Sequence, residues 1–253
     1  VDELQNVKEP GNYCMMQVKP NWHDSTDLLG YRSAIQQNKL VVTKLVKFIC
    51  KAYAYPDTPF FVCLDEMNLA PVEQYFAEFL SAMESLHEEE VEDKKVILSD
   101  ELIELDRNGV SDISALDLEF NESANHIKQF GLTIPKNLFV VGTVNMDDTT
   151  CQFSRKVLDR AMTIEMTDVD FSNFGNVTDP SYADLLEDET IKLLVGRPIT
   201  IDNDDKELVR KDENLIALQK CLAPTSFAIA YRFAKEYVLF KNALKAFDEN
   251  ATM

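Results

Sequence analysis

The sequence predicts an α/β fold in which a parallel sheet is sandwiched by helices and followed by a small all-helical lid. Two short apolar runs carry the prediction, because residues 60–64 lead directly into Asp65 and Glu66, and residues 138–144 lead into Asn145. A continuously apolar strand fits a sheet that is covered on both faces, as parallel sheets usually are. Helical patterns lie between and beyond these runs, which is the alternation typical of α/β proteins.

The polar residues that end the two runs predict a ligand site. Ligands of open parallel sheets bind beyond the carboxyl ends of the strands, so we expect Asp65, Glu66 and Asn145 to meet at one crevice. Nucleotide hydrolysis requires groups that position a phosphate-bound Mg²⁺ and a water molecule. Asp65 fits the role of holding the hydration shell of Mg²⁺, and Glu66 that of orienting or deprotonating the attacking water. Asn145 could bridge that water and the terminal phosphate without adding negative charge.

Each of these residues also has an ordinary structural interpretation. Apolar runs that end in Asp-Glu are common, and Asn145 opens an Asn-Met-Asp-Asp stretch that is good turn chemistry in its own right. The phosphate-cradling G-x-x-x-x-G-K-[ST] loop is missing, because no Gly in the chain is followed by Lys. The residues alone therefore indicate half of a phosphate site.

Basic residues precede a further predicted strand. Arg155 and Arg160 lie in a predicted short helix at residues 154–161. In a ring of subunits, an arginine here could reach a neighbour's nucleotide and stabilise the charge that develops during phosphoryl transfer. An ion pair of Arg160 with Asp159 or Glu165 is an equally good interpretation.

Apolar spacing and turn residues predict the other elements. The predicted strands are residues 13–19, 60–64, 138–144 and 162–166, and the predicted helices are residues 40–53, 72–86, 154–161, 184–195, 206–221 and 226–247. Residues 88–134 interrupt this alternation with a densely acidic stretch, which we interpret as a solvated insertion. Within it, residues 96–98 could pair with residues 131–134 as a hairpin. The predicted organisation is an α/β core at 1–167, an acidic linker at 168–205 and a helical lid at 206–253.

The composition limits the partners and the compartment. A formal net charge of -19 means that the chain should repel nucleic acid phosphates, so DNA contact is expected only through a local patch or a partner. No apolar stretch is long enough to span a bilayer, and the amino terminus lacks the pattern of a signal peptide. The five cysteines are odd in number and widely spaced, which favours reduced thiols. We expect a cytoplasmic protein.

Four separated motifs together resemble the McrB-like branch of the AAA+ nucleotidases. They follow the family's order and spacing at residues 20–31, 64–70, 142–150 and 153–161. The resemblance implies that residues 60–66 form the Walker B strand. It also implies that Asn145 is the first polar sensor, within an N-x-x-D signature that ends at Asp148. Arg160 is then a candidate arginine finger, with Arg155 second.

A fifth segment, residues 229–232, resembles the family's second sensor in the lid helices. The resemblance implies that Arg232 returns a positive charge to the phosphates. An exposed helix arginine that pairs with Glu236 at i+4 is the ordinary alternative.

The resemblance also implies Mg²⁺ with ATP or GTP, a homo-oligomeric ring and a possible nuclease partner in a DNA restriction or defence system. The family's Walker A loop and its strand would precede residue 13, so we interpret the sequence as a piece of a longer NTPase that is inactive by itself. The main alternative is a degenerate, non-hydrolysing AAA+ module that acts as a structural or protein-binding subunit. A hydrolase that uses Asp65 and Glu66 without nucleotide ranks last, because no nucleophile and base pair accompanies them.

Overall fold

A computed structural model describes residues 11–91, 94–106, 110–116, 121–145, 151–165, 201–225, 229 and 231–247. The chain divides into two compact units, residues 1–86 with 97–195 and residues 87–96 with 196–253. The strands are β1 (Tyr13–Gln17), β2 (Gly30–Ser33), β3 (Lys39–Val42), β4 (Phe60–Asp65), β5 (His87–Val91), β6 (Lys94–Leu98) and β7 (Leu138–Gly142). The helices are α1 (Thr26–Leu29), α2 (Lys44–Ala54), α3 (Val72–Tyr75), α4 (Ala77–Glu84), α5 (Val110–Ala115), α6 (Asn121–Phe130), α7 (Arg155–Leu158), α8 (Asn203–Lys211), α9 (Glu213–Leu222) and α10 (Tyr231–Phe247).

A three-stranded parallel sheet in the order β1–β4–β7 organises the first unit. Its register places Cys63 of β4 opposite Met15 of β1 and Val141 of β7. The α/β class and the parallel pairing of the two apolar runs, predicted from the sequence, are thus confirmed. The shared strand direction places the carboxyl ends of all three strands at one edge of the sheet.

The two faces of this sheet differ in burial. Phe60, Val62 and Leu64 are at most 2% exposed, and α2 packs on this side through an edge contact of Phe48 with Phe60 at 5.2 Å between ring centroids. On the other face, Val141 is 51% exposed. Helices flank the sheet, and in the part of the chain that the structure describes the edge strand β7 is more exposed than the central strand β4.

Several element boundaries differ from the predicted ones. Residues 40–42, assigned to a helix from their spacing, instead form β3 and pair antiparallel with β2. Thr43 then begins α2, accepting a hydrogen bond from the Val46 N–H at 3.5 Å and donating one to the Leu28 carbonyl at 2.6 Å. A short apolar run fits either periodicity, so the available pairing partner decided the outcome. The predicted helix at residues 72–86 is divided into α3 and α4 at Phe76.

The acidic segment at 88–134 is packed more closely than a solvated insertion would be. Leu102, Leu105 and Leu116 join the hydrophobic core. Asp112 is 3% exposed, and the Arg32 guanidinium donates to both of its carboxylate oxygens at 3.1 and 2.6 Å. The segment is thereby fastened to the β2–β3 pair, and the prediction of a solvated excursion is wrong for these residues.

The hairpin predicted within this segment has a different partner. β6 pairs with β5 and not with residues 131–134. Those residues instead contact the chain just after β6, where the Leu102 N–H donates to the Leu132 carbonyl at 2.7 Å and the Ile134 N–H donates to Ser99 Oγ at 3.0 Å. Pairing with the nearer β5 closes a much shorter loop, which costs less chain entropy.

The strand predicted at residues 162–166 does not form over its described part, residues 162–165. Met162 and Ile164 are 77% and 78% exposed. A strand needs a neighbour to satisfy its N–H and C=O groups, and β7 has no second partner among the strands that the structure describes.

The second unit contains α8, α9 and α10. Asp202 and Asp205 form a capping box at the start of α8. Asp212 ends that helix and begins α9, so the helix predicted at 206–221 is two helices. The predicted helix at 184–195 and most of the predicted linker lie outside the described residues. In the part of the chain that can be described, none of the helices combines the length and apolar character needed to cross a membrane.

Candidate functional site

The carboxyl ends of β4 and β7 remain joined beyond the last residues of the strands. The Thr143 N–H donates to the Leu64 carbonyl at 3.0 Å, and the Met67 N–H donates to the Thr143 carbonyl at 2.8 Å. On the opposite side of β4, the Val18 N–H donates to the Asp65 carbonyl at 3.0 Å. The backbone around Asp65 is therefore held from both neighbouring strands.

Thr143 also holds the carboxylate pair through its side chain. Its hydroxyl donates to Asp65 Oδ1 at 2.8 Å and accepts the Glu66 N–H at 2.9 Å. Glu66 has φ 52° and ψ 48°, the left-handed region that a residue with a side chain seldom adopts. The hydrogen bond to its N–H stabilises this conformation, which turns the chain out of β4 into the short 3₁₀ turn Met67–Leu69.

Asn68 connects this turn to the segment after β7. Its Nδ2 donates to the Asn145 carbonyl at 2.9 Å, and its own carbonyl accepts the Cys151 N–H at 2.9 Å. Asn68 is 1% exposed, whereas Asn145 is exposed. Asp65, Glu66 and Asn145 therefore lie along one edge of the sheet, at the ends of neighbouring strands. Asp148, the end of the N-x-x-D signature, lies outside the described residues.

Close packing holds the turn against β7. A side chain at Gly142 would place its Cβ 2.4 Å from Met67 Sδ, so the Met67 side chain would have to shift to admit it. The buried Tyr75 hydroxyl donates to the Met67 carbonyl at 2.8 Å, and burial raises the pKa of Tyr75 well above its usual value. The phenol therefore stays protonated and serves as a donor from α3 to the turn.

Arg160 is engaged inside its own chain. Its side chain is 12% exposed, and its guanidinium donates to Glu84 Oε2 at 2.7 Å and to the Lys156 carbonyl at 2.5 Å. The ion pair expected with Asp159 or Glu165 is thus formed with Glu84, on α4, which is 76 positions away along the chain. The Nε atom of Arg160 is buried, and no described residue hydrogen-bonds to it. As a finger for a neighbouring subunit, Arg160 would first have to leave Glu84.

The structure does not test the roles predicted for the other two arginines. Arg155 is exposed at the first position of α7. Arg232 lies in the first turn of α10, in the second unit, and its side chain is outside the description. Their predicted roles stay predictions.

The sheet edge that carries Asp65, Glu66 and Asn145, called the rim below, could contribute to a metal site through Asp65. No group of three His, Cys, Asp or Glu side chains converges among the described residues. Mg²⁺ in nucleotide sites is commonly held by one or two carboxylates, with water and phosphate as the remaining ligands. A single strand-end carboxylate that is oriented by Thr143, namely Asp65, matches this requirement.

Sequence reasoning missed Thr143 and Asn68 as parts of the site. Thr143 lies within the predicted apolar run at residues 138–144, and a hydroxyl two residues before Asn145 is a usable signal. The local sequence gives no signal for Asn68, because its contact is with a residue 77 positions away.

Comparisons of the chain with protein-family models, with curated proteins and with solved structures found no match. Membership of the McrB-like branch therefore stays a prediction from the motifs.

Proposed function

We propose that this chain is the α/β core and helical lid of an AAA+ nucleoside triphosphatase whose intact form hydrolyses ATP or GTP with Mg²⁺. One observation carries the proposal: Asp65 and Glu66 share the hydroxyl of Thr143, although Asp65 and Thr143 are 78 positions apart in the sequence. Asn145 follows Thr143 by two residues at the same sheet edge. Carboxylates and an amide at adjacent strand ends are the groups that a metal-bound triphosphate and its attacking water require.

Each group has a distinct task in this proposal. Asp65 would bind the ion through water, and the ion would neutralise charge on the phosphates when bound. Glu66 would orient or deprotonate the attacking water, with its backbone fixed by the bond to Thr143. The Asn145 amide would hold that water against the terminal phosphate.

The edge of β7 offers a place for a phosphate loop, a motif that does not occur in this sequence. β7 pairs only with β4 among the described strands, and Val141 is 51% exposed. A strand added in parallel to this edge would end beside Asn145, next to the carboxylate rim. A glycine-rich loop at that point would bring its N–H groups to the phosphates.

The wider assignments rest on the resemblance alone. We propose a homo-oligomeric ring that works in a DNA restriction or defence system, with a nuclease as a partner subunit. Because the chain carries a net charge of -19, DNA contact is assigned to a local patch or to the partner. Arg155, Arg232 and Asp148 keep the roles that the resemblance implies, and Arg160 acts as a finger only if oligomerisation releases it from Glu84.

The test is ATP and GTP hydrolysis by the intact gene product with Mg²⁺. We expect Glu66→Gln to lower kcat by about 100-fold or more, with nucleotide binding retained, because a general base contributes on that scale. Glu73→Gln is the matched control, since Glu73 is an exposed glutamate on α3 and should leave kcat unchanged. An intact protein without hydrolysis, or a Glu66→Gln form as active as the control, would refute the proposal. The first of these outcomes would favour the non-hydrolysing module.

A further inference from the structure

We propose that Asn68 is a positioning residue that sets the place of Asn145 through its main chain. This inference rests on the proposed function, because it concerns the same site. Asn68 bonds the Asn145 carbonyl through Nδ2 and the Cys151 N–H through its own carbonyl, each at 2.9 Å. It therefore clamps both ends of the segment 145–151, which contains the N-x-x-D signature.

Asn68 is itself held firmly enough to transmit this constraint. The residue is 1% exposed. The preceding residue, Met67, is bonded at its N–H by the Thr143 carbonyl and at its carbonyl by the Tyr75 hydroxyl, both at 2.8 Å. The position of the Asn68 amide is therefore set from β7 and from α3, and the amide carries that position to Asn145.

A purely stabilising role does not explain the choice of asparagine. Asn68 Oδ1 is buried and has no hydrogen-bond partner among the residues that the structure describes. A buried acceptor without a partner is destabilising, and such groups are rare in folded proteins. The asparagine is thus retained despite this cost, and the bond that its side chain donates goes to Asn145, the residue assigned to the attacking water.

The chain supplies a matched control in Asn137. This asparagine is also 1% exposed, and its Nδ2 donates to the carbonyls of Ala52, Tyr55 and Thr58 at 3.1, 2.9 and 2.8 Å. It precedes β7 and so lies at the amino end of the sheet, away from the rim. Its role is to hold the loop between α2 and β4, and its loss affects folding without reaching the site.

The experiment compares Asn68→Leu and Asn137→Leu in the intact protein, with hydrolysis kinetics and thermal unfolding measured for both. We expect Asn68→Leu to lower kcat by about tenfold or more with KM nearly unchanged, because misplacing a catalytic group by about 1 Å costs up to about 100-fold. Asn137→Leu should lower the unfolding temperature and leave kcat of the folded enzyme unchanged. A merely structural Asn68 would behave like Asn137.

Asn68→Ala is the second variant, for use if the leucine form does not fold. It removes the donated bond without adding apolar bulk, so the same loss of kcat is expected. Unchanged kcat in a folded Asn68 variant, or losses equal to those of Asn137→Leu, would overturn the inference while the proposed function stands. A wild-type protein that does not hydrolyse nucleotide would contradict both this inference and the proposed function.

Discussion

The hydroxyl of Thr143 bonds Asp65 Oδ1 across two neighbouring strands at 2.8 Å, and the same oxygen accepts the Glu66 N–H at 2.9 Å. One side chain thus orients the first carboxylate and fixes the backbone of the second. The consequence is that the end of β4 has a defined conformation before any ligand binds, and preorganisation of this kind is what an electrostatic site requires.

Replacing Thr143 by valine should therefore destabilise the protein, although the residue is exposed. We expect Thr143→Val to lower the free energy of unfolding by about 1–2 kcal/mol, because two hydrogen bonds are lost and the left-handed Glu66 loses its support. Urea unfolding measures this. Thr143→Ser keeps the hydroxyl and should stay within about 0.5 kcal/mol of the wild type. Equal stability of the valine and serine variants would show that the Thr143 hydroxyl does not contribute to the free energy of unfolding.

Arg160 should be a stabilising residue of its own subunit. Its side chain is 12% exposed and pairs with Glu84, whose side chain is 59% exposed. We expect Arg160→Ala to cost about 1–3 kcal/mol, since a largely buried set of donors is removed. Glu84→Ala should cost at most about 1 kcal/mol, because an exposed carboxylate contributes little.

The control for this pair is Arg155→Ala, which removes an exposed arginine from the preceding helix, α7, and should change stability by about 0.5 kcal/mol or less. Chemical unfolding of the single and double variants gives the coupling between Arg160 and Glu84. Zero coupling, or an Arg160→Ala variant as stable as Arg155→Ala, would contradict the ion pair of Arg160 with Glu84 within one subunit.

His126 should make the first unit sensitive to mild acid. Its ring stacks on Tyr53 at 4.0 Å between ring centroids, and burial lowers its pKa to about 4. In the unfolded chain the pKa is about 6.5, so the unfolded state takes up the proton first. The contribution of the neutral His126 ring to the free energy of unfolding is fully present above about pH 6.5. It is lost as the pH falls towards 4, by up to about 3 kcal/mol.

Urea unfolding between pH 7 and about pH 4.5 tests this dependence, because the pKa of His126 differs between the folded and unfolded states. His126→Phe keeps an aromatic ring against Tyr53 and should flatten the curve over this range. His23→Gln, which changes an exposed histidine, should leave the wild-type slope in place. A His126→Phe variant with the full wild-type slope would show that another group is responsible.

Asp212 should control the acid stability of the helical unit. It accepts the Leu215 N–H at 3.0 Å, the Tyr237 hydroxyl at 2.7 Å and Lys241 Nζ at 3.2 Å, and these bonds, that of Leu215 first, lower the pKa of Asp212 to about 2. An unfolded aspartate has a pKa of about 3.9. Because the folded value is the lower one, the stabilisation is present above about pH 4 and is lost as the pH falls towards 2.

Asp212→Asn should cost about 1–2 kcal/mol at neutral pH, because charge-assisted bonds at a helix cap are weakened. It should also remove the loss of helicity between about pH 4 and pH 2, measured by circular dichroism. Asp204→Asn, an exposed position in the first turn of α8, is the control and should keep the wild-type acid transition. An Asp212→Asn variant with an unchanged transition would contradict the assignment.

Much of the fold was predictable because its signals are local. A continuous apolar run defined β4 to within one residue, and the run that became β7 was placed correctly at its start. Strand direction then placed the residues that follow, so the meeting of Asp65, Glu66 and Asn145 at one edge could be expected from the parallel pairing alone.

The amino-acid sequence by itself determined the α/β class, the two central strands and the carboxylate rim. Tertiary structure decided which partner each segment took: β5 for β6, Glu84 for Arg160, and Asn145 for Asn68. The physical reason is range. Periodicity and turn chemistry act over a few residues, whereas hydrogen bonds and ion pairs between distant segments depend on which groups the packed core brings within about 3 Å.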